Sequence, residues 1–176
     1  MPAAEYEARQ VGFQAALARY PPDGFLSAGT ARLEGAPWAA QGGMAYEDWY
    51  LVRNLAALEP LSEAAVSGPR LEPHNAVARL AAGGTAGLYG LKAGAPLPAP
   101  AHAAWFGKPA GMSYAALFEL LRPLTDSAPA ALWMRQLVLG PTPEFCLSSG
   151  APVALPPSID AKYLSLAPVW PAAPTR

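Results

Sequence analysis

A single cysteine, Cys146, stands in this 176-residue chain, which excludes an intramolecular disulfide framework and any cysteine-rich metal site. Histidine is nearly as scarce: His74 and His102 lie far apart, which argues against a dedicated zinc site. Charged residues make up 14% of the chain and the net charge is −1. Lys and Arg are scattered, so the counterion-releasing basic patch that binds nucleic acid is not expected. No apolar run approaches the ~18 residues of a membrane span. The start, Met1-Pro2-Ala3-Ala4-Glu5-Tyr6-Glu7, lacks the basic and apolar stretches of a secretion signal, so a soluble cytoplasmic protein is expected. The glycine-rich residues 83–90 lack the Lys-Ser/Thr of a phosphate loop and lead into a strand. No Gly-x-Ser-x-Gly elbow, His-Glu-x-x-His helix or EF-hand loop occurs either.

What is abundant is apolar surface and chain punctuation. Hydrophobic residues are 52% of the chain, enough for a sizeable core and too many for a disordered one. With 21 prolines and 16 glycines, short elements joined by many turns are expected rather than long helices. Length and composition point to one α+β domain over residues 1–150. A proline-rich tail at 151–176 follows, packing on the body or partly extended.

A block of residues occurs twice. Gly35-Ala36-Pro37, Trp49-Tyr50, Arg53, Asn54, Ala56-Ala57-Leu58 and Pro60-Leu61 are echoed downstream. The echo is Gly94-Ala95-Pro96, Trp105-Phe106, Lys108, Ser113, Ala115-Ala116-Leu117 and Pro123-Leu124. The spacing of roughly 56–63 residues suits a duplicated supersecondary unit, about 25–66 and 85–125, rather than a solenoid.

Residues 4–19 read as a helix, with Tyr6, Phe13 and Leu17 inward and Glu5, Glu7, Arg9, Gln10 and Gln14 facing water. Strands are expected at 25–33, 46–52, 85–91 and 102–107, with a loop over 36–44. Alternation puts Tyr46, Asp48, Tyr50 and Val52 on one face of the second strand, and Glu47, Trp49, Leu51 and Arg53 on the other. Asn54 caps a helix through Val66, a second short helix covers 73–82, and Ser113 caps a third at 114–124. Residues 131–139 and 144–148 form a hairpin, and Tyr163 to Leu166 adds an edge strand or packs across the body.

Residues 45–139 then give the order βαββαβ, the split βαβ pattern of a ferredoxin-like fold. On this order, the repeated block, the Trp-aromatic strands and the segment Met134 to Leu147, the chain resembles the dimeric α+β barrel superfamily. That resemblance implies duplicated ferredoxin-like units with antiparallel sheets around a cavity. It also implies a bound small apolar or aromatic molecule and, within the superfamily's range, a monooxygenase-like or haem-linked activity. Monomers with pseudo-dimeric halves and homodimers both fit it. Fold does not fix function, and a non-catalytic binding or assembly protein with a filled aromatic core stands as the alternative, so enzyme activity stays open.

The residue types that could carry chemistry are few. His74 could serve as a base or haem ligand, or it could cap a helix start together with Asn75. His102 reads as an exposed edge histidine. Asn54, Trp49 or Trp105, and a histidine match the residue types of haem-degrading relatives without matching their arrangement, so no roles are carried over. Trp49, Trp105 and Trp133 line a pocket or fill a core. Cys146 reads as a small buried hydrophobe rather than a nucleophile. Pairing Leu139 with Glu144 would set Arg135 opposite Ser148. Arg135 and Glu144 would then share a face about 13 Å apart, bordering a polar cavity or solvent.

Overall fold

The computed structural model describes residues 3–38, 44–97 and 99–170. The expected loop over 36–44 falls mostly on residues 39–43, outside the described ones. The chain is α+β. Among the described residues, four helices, α1 (Ala3–Arg19), α2 (Leu58–Ala65), α3 (Leu71–Ala78) and α4 (Tyr114–Asp126), accompany seven strands. These are β1 (Phe25–Leu33), β2 (Ala45–Val52), β3 (Ala86–Gly94), β4 (His102–Phe106), β5 (Ala130–Leu139), β6 (Phe145–Ser149) and β7 (Ala161–Trp170). The strands hydrogen-bond in the order β2-β1-β7-β4-β6-β5-β3. Two compact units divide the chain. One comprises Met1–Arg32, Tyr46–Gly83 and Pro168–Arg176, the other Leu33–Ala45 and Gly84–Ala167.

In the first unit, α1 begins with Glu5 in its first turn, where a negative charge favours the helix dipole, and Arg9 reaches back to Glu5 at 2.7 Å. Its buried stripe is Gln10, Phe13, Gln14 and Leu17, a clean i, i+3, i+4, i+7 pattern. This corrects the expectation that Gln10 and Gln14 face water: they are 1% and 0% exposed. Asn54 caps a short 3-10 turn at Leu55–Ala57, its side chain accepting from the Ala57 N–H, and α2 follows directly. Pro60 falls in the first turn of α2, where its missing N–H is harmless. Arg70 ties the helices together, donating to the Tyr20 carbonyl at 2.6 Å and to the Ala64 carbonyl at 2.5 Å.

In the second unit, alternation buries β4 and β6 on both faces. One face, with Phe106, Phe145, Leu132 and Leu147, packs under Leu117 and Leu121 of α4, and the Phe106 and Phe145 rings stack at 5.3 Å. Ser113 caps α4 by accepting from the Ala116 N–H at 3.1 Å. The opposite face carries a row in which Trp105, Cys146 and Trp133 stand in register across β4, β6 and β5.

Three expectations change here. First, Trp133 faces Cys146 and Met134 faces Phe145, so the hairpin register differs by four residues from the one expected. β5 has ten residues and β6 only five, so β6 pairs with the first half of β5, while β3 runs along the opposite edge of β5 from Gly94 opposite Ala131 to Ala86 opposite Leu139. Second, residues 161–170 form a full strand inside the order, antiparallel to β4, rather than an edge strand or a tail laid on the body. Third, β3 pairs with β5, and β4 with β6 and β7, so the pairing of duplicated ferredoxin-like units is not reproduced. The repeated blocks share a capped helical turn after a Trp-bearing strand. Their strands differ in setting, β2 ending the order and β4 lying within it.

Gly94 turns the chain out of β3 with φ +74°, and a Cβ there would stand 2.0 Å from the Ala130 carbonyl oxygen. Left-handed strain and a backbone clash act together, so Gly94→Ala should cost more than about 2 kcal/mol. Urea denaturation of the two proteins measures the difference.

Candidate functional site

The densest array of interacting polar side chains lies where α1 covers β1 and β2. Alternation along β2 turns Tyr46, Asp48 and Tyr50 toward α1, as the sequence pattern indicates. Thr30 of β1 donates its hydroxyl proton to Asp48 Oδ1 at 2.6 Å. Gln10 donates Nε2–H to Asp48 Oδ2 at 3.2 Å and to the Tyr6 hydroxyl at 3.1 Å. Gln14 donates to Thr30 Oγ1 at 2.9 Å and to the Tyr50 hydroxyl at 3.3 Å. At the rim, Glu7 Oε1 accepts from Arg32 at 3.0 Å and from the Tyr46 hydroxyl at 3.2 Å, and the Tyr6 and Tyr46 rings lie 4.6 Å apart.

The ionised Asp48 orients this whole network. A carboxylate only accepts, so Thr30 must give it a proton and can then only accept from Gln14. Both glutamines are thereby forced to turn Nε2 inward, and their buried Oε1 atoms are left without a hydrogen-bond partner. An unpaired buried carbonyl costs about 1–3 kcal/mol, so the arrangement is held by the carboxylate against that cost. Asp48 remains an exposed residue, yet burial of its carboxyl raises the pKa, opposed by the bonds from Thr30 and Gln10. Burial likewise raises the Tyr50 hydroxyl pKa, with the Asp48 charge adding to it.

On the other face of β2, the Trp49 indole donates Nε1–H to Glu47 Oε1 at 2.5 Å. Burial pushes Glu47 up to about 7; the Trp49 bond opposes the shift and the neighbouring Asp48 charge adds to it. Glu47 therefore titrates near neutrality.

The residues singled out from the sequence fall in several places. Trp49 lies beside Glu47 in the first unit. His74, also there, sits on α3 with its ring edge-on to Phe13 at 5.5 Å and its Nδ1 3.3 Å from Asn75 Oδ1. That setting is helix packing. His102 is half-buried on an inner strand, opposite Ser149 and Ser165, and is not the exposed edge histidine expected.

In the second unit, Arg135 and Glu144 are cross-strand neighbours: the Arg135 N–H donates to the Glu144 carbonyl at 2.8 Å. The Arg135 guanidinium turns to the Thr142 carbonyl at 3.3 Å. Glu144 accepts from the Tyr114 hydroxyl at 2.6 Å and lies 3.5 Å from the Lys108 N–H, which fastens the start of α4. Trp105 meets Trp38 and Tyr89 edge-on at 5.4 and 5.6 Å. Trp133 donates Nε1–H to Ser148 Oγ at 3.2 Å. Cys146, between the two tryptophans, is fully buried. Among the described residues, no three His, Cys, Asp or Glu side chains group as a metal ion requires.

Residue type alone assigns both glutamines to water and so hides the network around Asp48. The available signal was positional: Gln10 and Gln14 share the 10, 13, 14, 17 stripe with Phe13 and Leu17. Comparison with family models, with curated proteins and with solved structures returned no match.

Asp48→Ala should cost about 1–3 kcal/mol, because it strands the Thr30 hydroxyl and the Gln10 amide. Asp48→Asn should cost markedly less, since Gln10 can flip and accept from the new amide; urea denaturation of both variants checks the contrast.

The pH dependence has a definite sign. Folded Glu47 keeps its proton to about pH 7, whereas an unfolded glutamate loses it near its ordinary 4.5. Its contribution is therefore full below about pH 4.5 and is lost as pH rises through about 7, a fall of about 3 kcal/mol. The raised pKa of Asp48 acts in the same direction. Denaturation midpoints should drop from pH 5 to pH 8, and Glu47→Gln should flatten that drop.

Proposed function

We propose that this protein works by contact with another protein chain, as a non-catalytic binding or assembly protein, rather than by acting on a small molecule in an aromatic pocket. One observation carries the reading: the aromatics that could have lined a pocket are closed on one another. Trp105, Trp133 and Cys146 are 4%, 7% and 0% exposed, and Trp38, Tyr89 and Ser148 fill the space around them. Arg135 and Glu144 are likewise engaged in holding the turn after β5 and the start of α4. Apolar surface left to solvent supports the contact role. In the first unit Tyr20, Leu26, Leu55, Val66 and Leu71 expose between 39% and 61% of their surface.

Two probes test the reading directly. Haem followed by absorbance, and naphthalene followed by tryptophan fluorescence, should show no saturable change. Stoichiometric binding of either probe that is weakened by Trp105→Leu would overturn it in favour of a small-molecule site.

A further inference from the structure

The hydrogen bonds beneath α1 leave an imbalance. They run through Asp48, Thr30, Gln10, Gln14, Tyr6 and Tyr50, and each glutamine spends both of its Nε2 protons in them. The two Oε1 atoms accept nothing, although Gln10 and Gln14 are 1% and 0% exposed. The two residues lie one turn apart on a single stripe of α1, where side chains at i and i+4 are neighbours with Cβ atoms about 5–6 Å apart. Two carbonyl oxygens still cannot pair, because neither has a proton to give. Turning one amide end for end supplies the missing donor: its nitrogen takes the place of its oxygen and can donate to the other glutamine.

Asp48 decides whether an amide can turn. While the carboxyl is ionised, a turned Gln10 would aim its oxygen at Oδ2, acceptor against acceptor. A turned Gln14 would aim its oxygen at Thr30 Oγ1, whose proton is committed to Oδ1. A proton on Asp48 removes the first obstacle. The Thr30 hydroxyl stands 2.6 Å from Oδ1, whereas Gln10 Nε2 stands at a looser 3.2 Å from Oδ2. The proton therefore settles on Oδ2, where it displaces the weaker bond. The ionisable groups sharing the face of Asp48 are Tyr6 and Glu7 of α1, Arg32 of β1, and Tyr46 and Tyr50 of β2. Glu7 and Arg32 pair with each other at 3.0 Å, and Glu47 lies on the opposite face of β2.

We infer that proton uptake by Asp48 turns the Gln10 amide end for end while α1 stays seated on β2. In the turned state Asp48 Oδ2–H and the Tyr6 hydroxyl both donate to Gln10 Oε1, and Gln10 Nε2–H donates to Gln14 Oε1. Thr30 keeps its bond to Oδ1, and Gln14 keeps its bonds to Thr30 and Tyr50. One bond is gained and both stranded carbonyls are paired, leaving a single Gln10 N–H unspent. The turn exchanges nitrogen for oxygen with hardly any change of shape, so Phe13 and Leu17 beside it need not repack. The carboxyl is thus a switch whose moving part is one buried side chain. Burial of Asp48 favours its neutral form, which brings the turn to a higher pH than an ordinary aspartate would set. The inference stands apart from the contact role proposed above.

The test follows the Gln10 side-chain amide of the full chain by NMR as the pH is lowered from 8 to 4, together with the Asp48 carboxyl carbon. At pH 8 the Gln10 amide protons should show nuclear Overhauser contacts to the Tyr6 ring. Those contacts should give way to contacts with the Gln14 side chain, at the midpoint of the Asp48 carboxyl and with the backbone signals of α1 still those of a docked helix. Asp48→Asn sets an N–H where the acid proton would sit, and should show the turned pattern already at pH 8. Glu47→Gln takes the other carboxyl of β2 out of the titration and should leave the turn in place. A Gln10 amide that keeps its Tyr6 contacts after Asp48 has titrated overturns the inference. So does a turn that disappears with Glu47→Gln, or release of α1 at the Asp48 midpoint. The readout lies in the wild type, so the test holds even where Asp48→Asn folds poorly.

Discussion

The carboxylate of Asp48 is the constraint on which the first unit depends. From its own place on β2 it accepts one hydrogen bond from Thr30 on β1 and one from Gln10 on α1, and so ties three elements at a single point. A negative group that can only accept imposes a direction on every bond behind it. Thr30 must accept from Gln14, Gln14 must turn its amide nitrogen inward, and two buried carbonyls are left unpaired as a result. An apolar interface between α1 and the strands would have been easier to satisfy but would not have set the strand's position so narrowly. Buried polar groups used in this way specify one arrangement at some expense of stability.

The second unit is organised by a different rule, the two-residue period of its strands. Alternate residues of β4 and β6 go to opposite faces, and both faces are buried. The face under α4 takes Phe106 and Phe145; the other takes Trp105, Cys146 and Trp133 in one row. In that row Trp133 bonds Ser148, and Cys146 lies fully buried between the two tryptophans. Trp105 meets Trp38 and Tyr89 edge-on, an arrangement that aromatic rings favour.

The two ends of the strand order are also treated unequally. β3 carries irregular register, three glycines and a lysine, all of which discourage a further strand. β2 carries a regular run of large and charged residues, held from below by the Asp48 network. The polar cluster holds β2 from beneath, through bonds from α1 to Asp48 and Tyr50 and from Tyr46 to Glu7.

Local structure was largely legible in the sequence, because it depends on signals a few residues apart. The caps at Asn54 and Ser113, the alternation of 46–52, and the breaks at Gly68-Pro69 and Gly83-Gly84 all act over one turn or one strand. The pattern of β2 even assigned Asp48 and Glu47 to opposite faces. Side-chain type misled where it stood in for position: Gln10 and Gln14 are polar, yet they occupy the inward stripe of α1, and their partners on β1 and β2 lie 16 to 38 residues away. Pairing between strands was not legible. The register of β5 on β6 sets Trp133 against Cys146 and Leu132 against Leu147, a match across strands that neither strand carries alone, and the inner place of β7 turns on β4 having a second edge to fill. By itself, then, the sequence determined where most helices and strands lie and which way their side chains alternate. Only the tertiary structure decided which strands meet, which carboxylate is drawn under α1 and whether the tryptophans enclose a space, because those outcomes rest on contacts between segments that local preferences do not connect.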